Sequence, residues 1–396
     1  MSSFTWLSYS EAERERTRDL ISQFSERDTR DELGIGRIRD AFADLLFPGT
    51  TTIQTRAKYF LFVPWMYVGL EGSRVSSTDI ESRARRYEVQ LIEALLKGND
   101  PDGVIGRYSK GGLQRLPSNI YWAGLGTWDI RRFRGSQSEY HDSLDIYYER
   151  QQQHEEDGAT GNLQPNWDPR LPDPPDDFPA SASLDLREQD AEYLRDRIMQ
   201  SAPDSMLEEL LHETELAENP DFPWEHPHRN RLSDEMQELL HHARNFSEIM
   251  HGASLLYNLM LAKEAADEEL IEEYSTRIEE WAQVIDTRLT ELRDWDLDQF
   301  WRIVTEASAN TPTRMQRFVT RWIEIATDSP EEVAEDDTAL RLIENRERRL
   351  KGGRARLHHQ SALEQWSGEA GTGQLAYRWD SAKVHLQDIF AGLRAG

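Results

Sequence analysis

Cysteine is absent from the 396 residues, which excludes disulfide staples, thiolate nucleophiles and cysteine-type zinc sites. Lysine is scarce, with 6 residues against 40 arginines and 73 aspartates and glutamates. No apolar run approaches the roughly 20 residues of a membrane span. The longest, Tyr59 to Val68, is half that, so no membrane association is expected. The start, Met1-Ser2-Ser3-Phe4-Thr5-Trp6, has neither a cationic opening nor an apolar core, so no secretory signal is expected and the protein is expected to be cytoplasmic. Nucleophile-elbow, Ser-Lys and kinase signatures are missing, as is a phosphate-binding P-loop. Gly34-Ile35-Gly36 follows no strand and is no dinucleotide loop. Nothing here calls for a cofactor, and a non-catalytic role is preferred over an enzymatic one.

What is present is charge, unevenly spread. Residues 1–150 carry 22 acids and 21 bases, residues 151–340 carry 45 and 15, and residues 341–396 carry 6 and 10, within an overall −27. An acidic centre repels nucleic acid, while both ends keep their cations. Such a surface suits a salt-rich cytosol, where repulsion is screened within roughly 3 Å at 1 M; an acidic protein from a GC-rich genome is the other reading. With 12 Trp, 13 Tyr and 13 Phe the chain can still bury substantial cores.

The hydrophobic period is 3.6 nearly throughout, which predicts an all-α, multi-helical protein. Helices are expected at about 11–24, from Asp31 to Leu46, over 53–70, 80–97, 120–133, 139–156, 184–217, 232–266, 267–292, 296–309 and 313–327. The run Tyr59 to Tyr67 has no polar face and must be buried all round; Pro64 argues against a central strand there. Five prolines between Asn166 and Pro179 mark an extended connector lying on a surface through Trp167, Leu171 and Phe178. The expected domains are a helical 1–156, a linker 157–182, an acidic helical 183–340 and a basic segment 341–396 that packs back on the first.

Two constellations attract attention. Arg341, Arg346, Arg348, Arg349, Lys351, Arg354 and Arg356 surround Gly352-Gly353, opposed by Glu344 and Glu347. Guanidinium forks match phosphate oxygens in pairs, while a cationic helix end paired with the acidic centre is the plainer reading. The second set, Arg107, Lys110, Arg115, Arg131, Arg132 and Arg134, interleaves with Tyr108, Tyr121, Trp122, Trp128 and Phe133. Cations plus stacking rings suit single-stranded nucleic acid; core aromatics with snorkelling arginines are the alternative. His226, His228, His241, His242 and His251 lack metal-ligand spacing, so no metal is expected. Arg56 and Lys58 could line an enzyme site among the carboxylates, the least favoured reading.

Two segments are similar to a known family. Arg30-Asp31-Glu32-Leu33-Gly34-Ile35-Gly36, continued through Ile38 to Asp44, Leu46 to Thr50, Ile53 to Ala57, Tyr59 to Phe62 and Pro64-Trp65, resembles the N-terminal signature of the uncharacterised prokaryotic DUF6361 proteins. Lys351-Gly352, Arg354 to Leu357, Ala362 to Glu364, Trp366, Gly368 and Tyr377-Arg378-Trp379 resemble that family's other end. His358-His359 depart from its pattern. The resemblance implies no established activity, and a place beside helicase and phospholipase-D-type nuclease genes in mobile or antiviral clusters.

The expectation is an accessory, non-catalytic DNA-binding component of a prokaryotic antiviral or DNA-processing complex. Arg107, Lys110, Arg115, Arg131, Arg132, Arg346, Arg349, Lys351, Arg354 and Arg356 would contact phosphates on one cationic face, and a helicase or nuclease encoded nearby would be the protein partner. The alternative is an acidic scaffold or DNA mimic that binds such a helicase or nuclease.

Overall fold

The computed structural model describes residues 31–98, 101–107, 115–156, 164–213, 220–308 and 311–395. The helix expected at 11–24 and the glycines 111–112 lie outside them. The described chain is all-α: α1 (Gly36–Leu46), α2 (Tyr59–Gly72), α3 (Ile80–Leu95), α4 (Pro117–Thr127), α5 (Gln137–Glu156), α6 (Glu188–Ser201), α7 (Met206–Leu210), α8 (Asp234–Ala265), α9 (Glu268–Thr287), α10 (Leu289–Arg293), α11 (Leu297–Ala307), α12 (Thr313–Asp328), α13 (Asp337–Lys351), α14 (Gln360–Leu363) and α15 (Trp379–Arg394). Among the described residues there is no strand, only an isolated bridge between Arg131 and Trp167.

The helix starts follow local chemistry. Asp31 accepts from the backbone N–H groups of Ile35 and Gly36, so its carboxylate meets the positive end of α1. Asp267, Asp296 and Asp336 cap α9, α11 and α13 through their side chains. Ser205 caps α7, and the break before it divides the helix expected at 184–217. The segment 53–58 is irregular, and α2 begins only at Tyr59, later than its periodicity suggests. From Tyr59 to Tyr67 every residue is buried, Pro64 included.

The chain forms two compact units, each assembled from separated stretches: Met1–Phe42 with Glu238–Tyr377, and Ala43–Gln237 with Arg378–Gly396. The division expected near 157–182 falls inside the second unit, and the segment 341–396 is shared out at Tyr377. The proline-rich stretch is fastened within its own unit. Trp167 stacks on Tyr67 with ring centroids 5.6 Å apart, Phe178 stacks on Phe62 at 5.6 Å, and Trp65 Nε1 donates to the Pro172 carbonyl at 2.6 Å. Each large ring removed from water contributes about 1.5–3 kcal/mol, which outweighs the lack of helix in this stretch.

In the second unit α15 packs against α6, and its Trp379, Leu386, Ile389 and Phe390 are core residues. In the first, Phe42 stacks on Phe246 and Phe300, and Trp322 Nε1 donates to the Ile249 carbonyl.

Candidate nucleic-acid interface

In the second unit Arg56 and Lys58 are both occupied. Arg56 forks both oxygens of Asp388 through Nε at 3.0 Å, and the Ala57 N–H donates to the same carboxylate at 2.8 Å. Lys58 Nζ sits 2.5 Å from Asp190 Oδ2 and donates to the Asp185 carbonyl, while Arg187 forks Asp190 from another side. Burial opposes the charge on Asp190, but hydrogen bonds from Arg187 and Lys58 hold its carboxyl below the usual range. His385, in the same core, lies edge-on to Phe60, with Nε2 3.2 Å from Gln54 Oε1. Burial pushes it down to about 3, so it is neutral. Arg56 and Lys58 thus fasten 53–58 to α15 and α6, and the enzyme reading built on them loses its cations.

The interleaved cluster is occupied in part, and its Arg134 is exposed with no ion pair among the described residues. Arg131 lies over the Trp122 ring at 4.6 Å and donates to the Trp122, Phe133 and Gly135 carbonyls. Arg132 pairs with buried Asp168 at 2.8 Å, a carboxylate that Arg197 and Tyr193 also share. Arg107 pairs with Asp102 at 2.8 Å, and Arg115 is exposed and already engaged. Lys110 and Tyr108 lie outside the described residues. Tyr121, Trp122 and Trp128 are core side chains, each 8 % exposed or less. Their faces are not available to stack on bases, which corrects the single-strand reading: burying these rings gains more than exposing them.

In the first unit three of the named cations are structural. Arg346 donates to the Leu33 and Gly34 carbonyls at 2.7 and 2.9 Å and lies 4.8 Å over the Phe318 ring. Gly34 has φ +68°, and a Cβ there would come within 2.5 Å of the Arg346 guanidinium. Lys351 is bound by Glu32, the Tyr257 hydroxyl and Glu347, and Arg356 pairs with Glu32 at 3.2 Å. Glu347 is fully buried and accepts from Tyr257 and from the Arg356 and Leu357 N–H groups. Two carboxylates thus meet two cations in a closed cluster.

Arg349 and Arg354 differ. Both are exposed and make no ion pair among the described residues. Arg348, also exposed, donates from its side chain to the Asn345 side chain alone among the described residues. Between them lie Gly352 and Gly353, where an added Cβ would meet nothing within 4 Å. The end of α13 is therefore an open knuckle of three arginines with bare backbone between them.

A family model for DUF6361, described as a family of unknown function, matches residues 1–392. The chain belongs to the DUF6361 family. No protein of curated function and no solved structure matches it.

Within this DUF6361 chain the fold adds two residues to the knuckle that sequence reasoning passed over. Arg314 and Arg317 stand exposed in the first turns of α12, with no ion pair among the described residues. Arg346 connects them to α13: it donates to the Arg314 carbonyl at 3.5 Å and covers Phe318. Their i, i+3 spacing and the absence of any acid in that turn were the available signal.

The histidines have structural roles. His242 accepts from Trp295 Nε1 at 2.7 Å, His251 bonds the Thr372 carbonyl, and His228 bonds Glu213. Burial holds His242 and His251 near 4. Among the described residues no three His, Asp or Glu side chains are grouped to hold a metal.

Proposed function

We propose that this DUF6361 protein is a non-catalytic DNA-binding component of a prokaryotic antiviral or DNA-processing complex, working in the cytoplasm beside a helicase or nuclease. The observation behind the proposal is the unmatched knuckle of Arg348, Arg349 and Arg354, exposed in a unit whose other surface charge is mostly acidic. Guanidinium groups without carboxylate partners keep their hydrogen-bonding forks for phosphate. The cations that remain for this role are fewer than the sequence suggests, because Arg131, Arg132, Arg346, Lys351 and Arg356 hold the fold.

Titration of a fluorescent 20-base-pair duplex by anisotropy tests the reading. Affinity should fall linearly in log–log with salt, by about 0.9 per phosphate neutralised. Arg349→Glu with Arg354→Glu should weaken binding at least tenfold. Unchanged binding by that variant would overturn the assignment of the surface.

One observation favours a second reading. On α9, Glu268, Glu269, Glu272, Glu273, Glu279 and Glu280 are all exposed, and among the described residues only Glu273 meets a base, Arg277 at 3.3 Å. Such a ridge suits a basic protein surface. A scaffold of this kind would leave the duplex unshifted and would co-purify with its helicase or nuclease.

A further inference from the structure

We infer that the DNA contact extends across two helices, from the end of α13 to the first turns of α12, and that it grips the phosphate backbone of a duplex in preference to single strands. This rests on the DNA-binding reading above and adds to it both new contact residues, Arg314 and Arg317, and the form of the nucleic acid.

Helix electrostatics separates the two groups of arginines. Arg348, Arg349 and Lys351 sit in the last turn of α13, where a helix dipole welcomes cations. Their charge there also suits the helix. Arg314 and Arg317 have no such explanation. They stand at the start of α12, the positive end, whose first turn holds no acid and whose N-cap residue, Pro312, supplies no capping side chain. Arg314 in the first turn opposes the dipole, and among the described residues no carboxylate pairs with it or with Arg317. An external anion would.

Placement joins the two groups. Arg346 donates to the Arg314 carbonyl and lies over Phe318, so the first turns of α12 adjoin the last turns of α13. Arg349 follows Arg346 by one turn; Arg346 is lowered chiefly by burial, with the Asp31 carboxylate working against the shift and the Arg349 charge adding to it. Exposed arginines on both helices thus border one shared seam. Between 313 and 318 and between 346 and 356 the sequence holds one acid, Glu347, which is buried and already saturated. From the other end of the unit Glu32 is held by Lys351 and Arg356, and Asp31 acts on Arg346.

Open aromatic faces are missing from this surface among the described residues. Phe318, Trp322 and Tyr257, the rings of the seam and its neighbours, are 4 % exposed or less, with Arg346 over the first and Lys351 over the last. Single-strand binding depends on stacking faces. Without them, recognition falls to the regularly spaced phosphates of a duplex, blind to sequence.

The experiment uses the full chain and anisotropy with a labelled 20-base-pair duplex and, separately, one of its strands, over a salt series. The wild type should bind the duplex more tightly than the strand. Arg314→Glu with Arg317→Glu should lower duplex affinity at least tenfold and reduce the salt slope by about 1.8, which is about 0.9 for each of two phosphates left un-neutralised. Because glutamate suits a helix start, that variant should melt no lower than wild type, so weakened binding will not reflect unfolding. Tighter binding to the strand, or an unaltered slope in the variant, overturns this inference while leaving the effect of Arg349→Glu with Arg354→Glu intact. A wild type that binds neither probe overturns both readings.

Discussion

Arg56 and Asp388, 332 residues apart in sequence, meet in a two-pronged ion pair in which Nε reaches both carboxylate oxygens at 3.0 Å. Burial raises the Asp388 carboxyl, and the guanidinium and the Ala57 N–H work the other way. The pair ties the irregular stretch before α2 to α15.

Removing either partner leaves a mostly buried charge unmatched, at a typical cost of about 3–5 kcal/mol. Arg56→Leu and Asp388→Leu should each lower the urea midpoint, and the double variant should recover part of the loss. Strictly additive midpoints would show that the two groups do not interact.

Glu88 is 2 % exposed, with its oxygens on the Ser118 N–H and hydroxyl. Burial raises it to about 7. The folded state therefore holds a proton that the unfolded chain releases near 4.5, so this group costs stability as pH climbs from 4.5 through 7. Glu88→Gln should be more stable than wild type at about pH 8, with the gap closing by about pH 5. Chemical denaturation at both pH values measures it, and an equal gap at each would refute the assignment.

The buried imidazoles work in the opposite sense. His385 and His242 are held near 3 and 4, below the 6.5 of an exposed histidine. Between about 6.5 and 4 the unfolded chain binds protons that the folded one refuses, so stability is full above about 6.5 and drains as pH falls. The slope approaches about 1.4 kcal/mol per pH unit for each group. His385→Phe should flatten the acid limb of a stability–pH curve; an identical limb would show that His385 does not titrate on unfolding.

Gly34 offers a steric check. With φ +68° and the Arg346 guanidinium beside it, Gly34→Ala should destabilise by more than the roughly 1 kcal/mol of backbone strain alone. Thermal melts of Gly34→Ala in wild-type and Arg346→Ala backgrounds separate the two contributions. A loss of the same size in both would assign the effect to backbone strain only.

The helices were largely legible in the sequence because their signals are local. The unbroken apolar run from Tyr59 to Tyr67 could be satisfied only by burial on every side, and Pro64 ruled out a central strand. Periodicity also found α3, α8 and α12 to within two residues of their ends. The fate of the arginines was not legible. Charge appears in sequence, whereas its partner depends on long-range topology: Lys351 meets Glu32 across 319 residues, and Arg346 meets Leu33 across 313. The unit boundaries were hidden for a related reason. Proline marked 166–179 as extended, but Trp167 and Phe178 decide where it lies, and they bind it to rings of α2.

The second unit is closed by α15, whose synthesis follows the 140 residues of Glu238–Tyr377. On the ribosome, residues 43–237 must wait with the cavity for Trp379, Leu386 and Phe390 unfilled while the whole intervening stretch emerges. A chain halted before Trp379 would carry that gap permanently, exposing apolar surface that chaperones and proteases recognise.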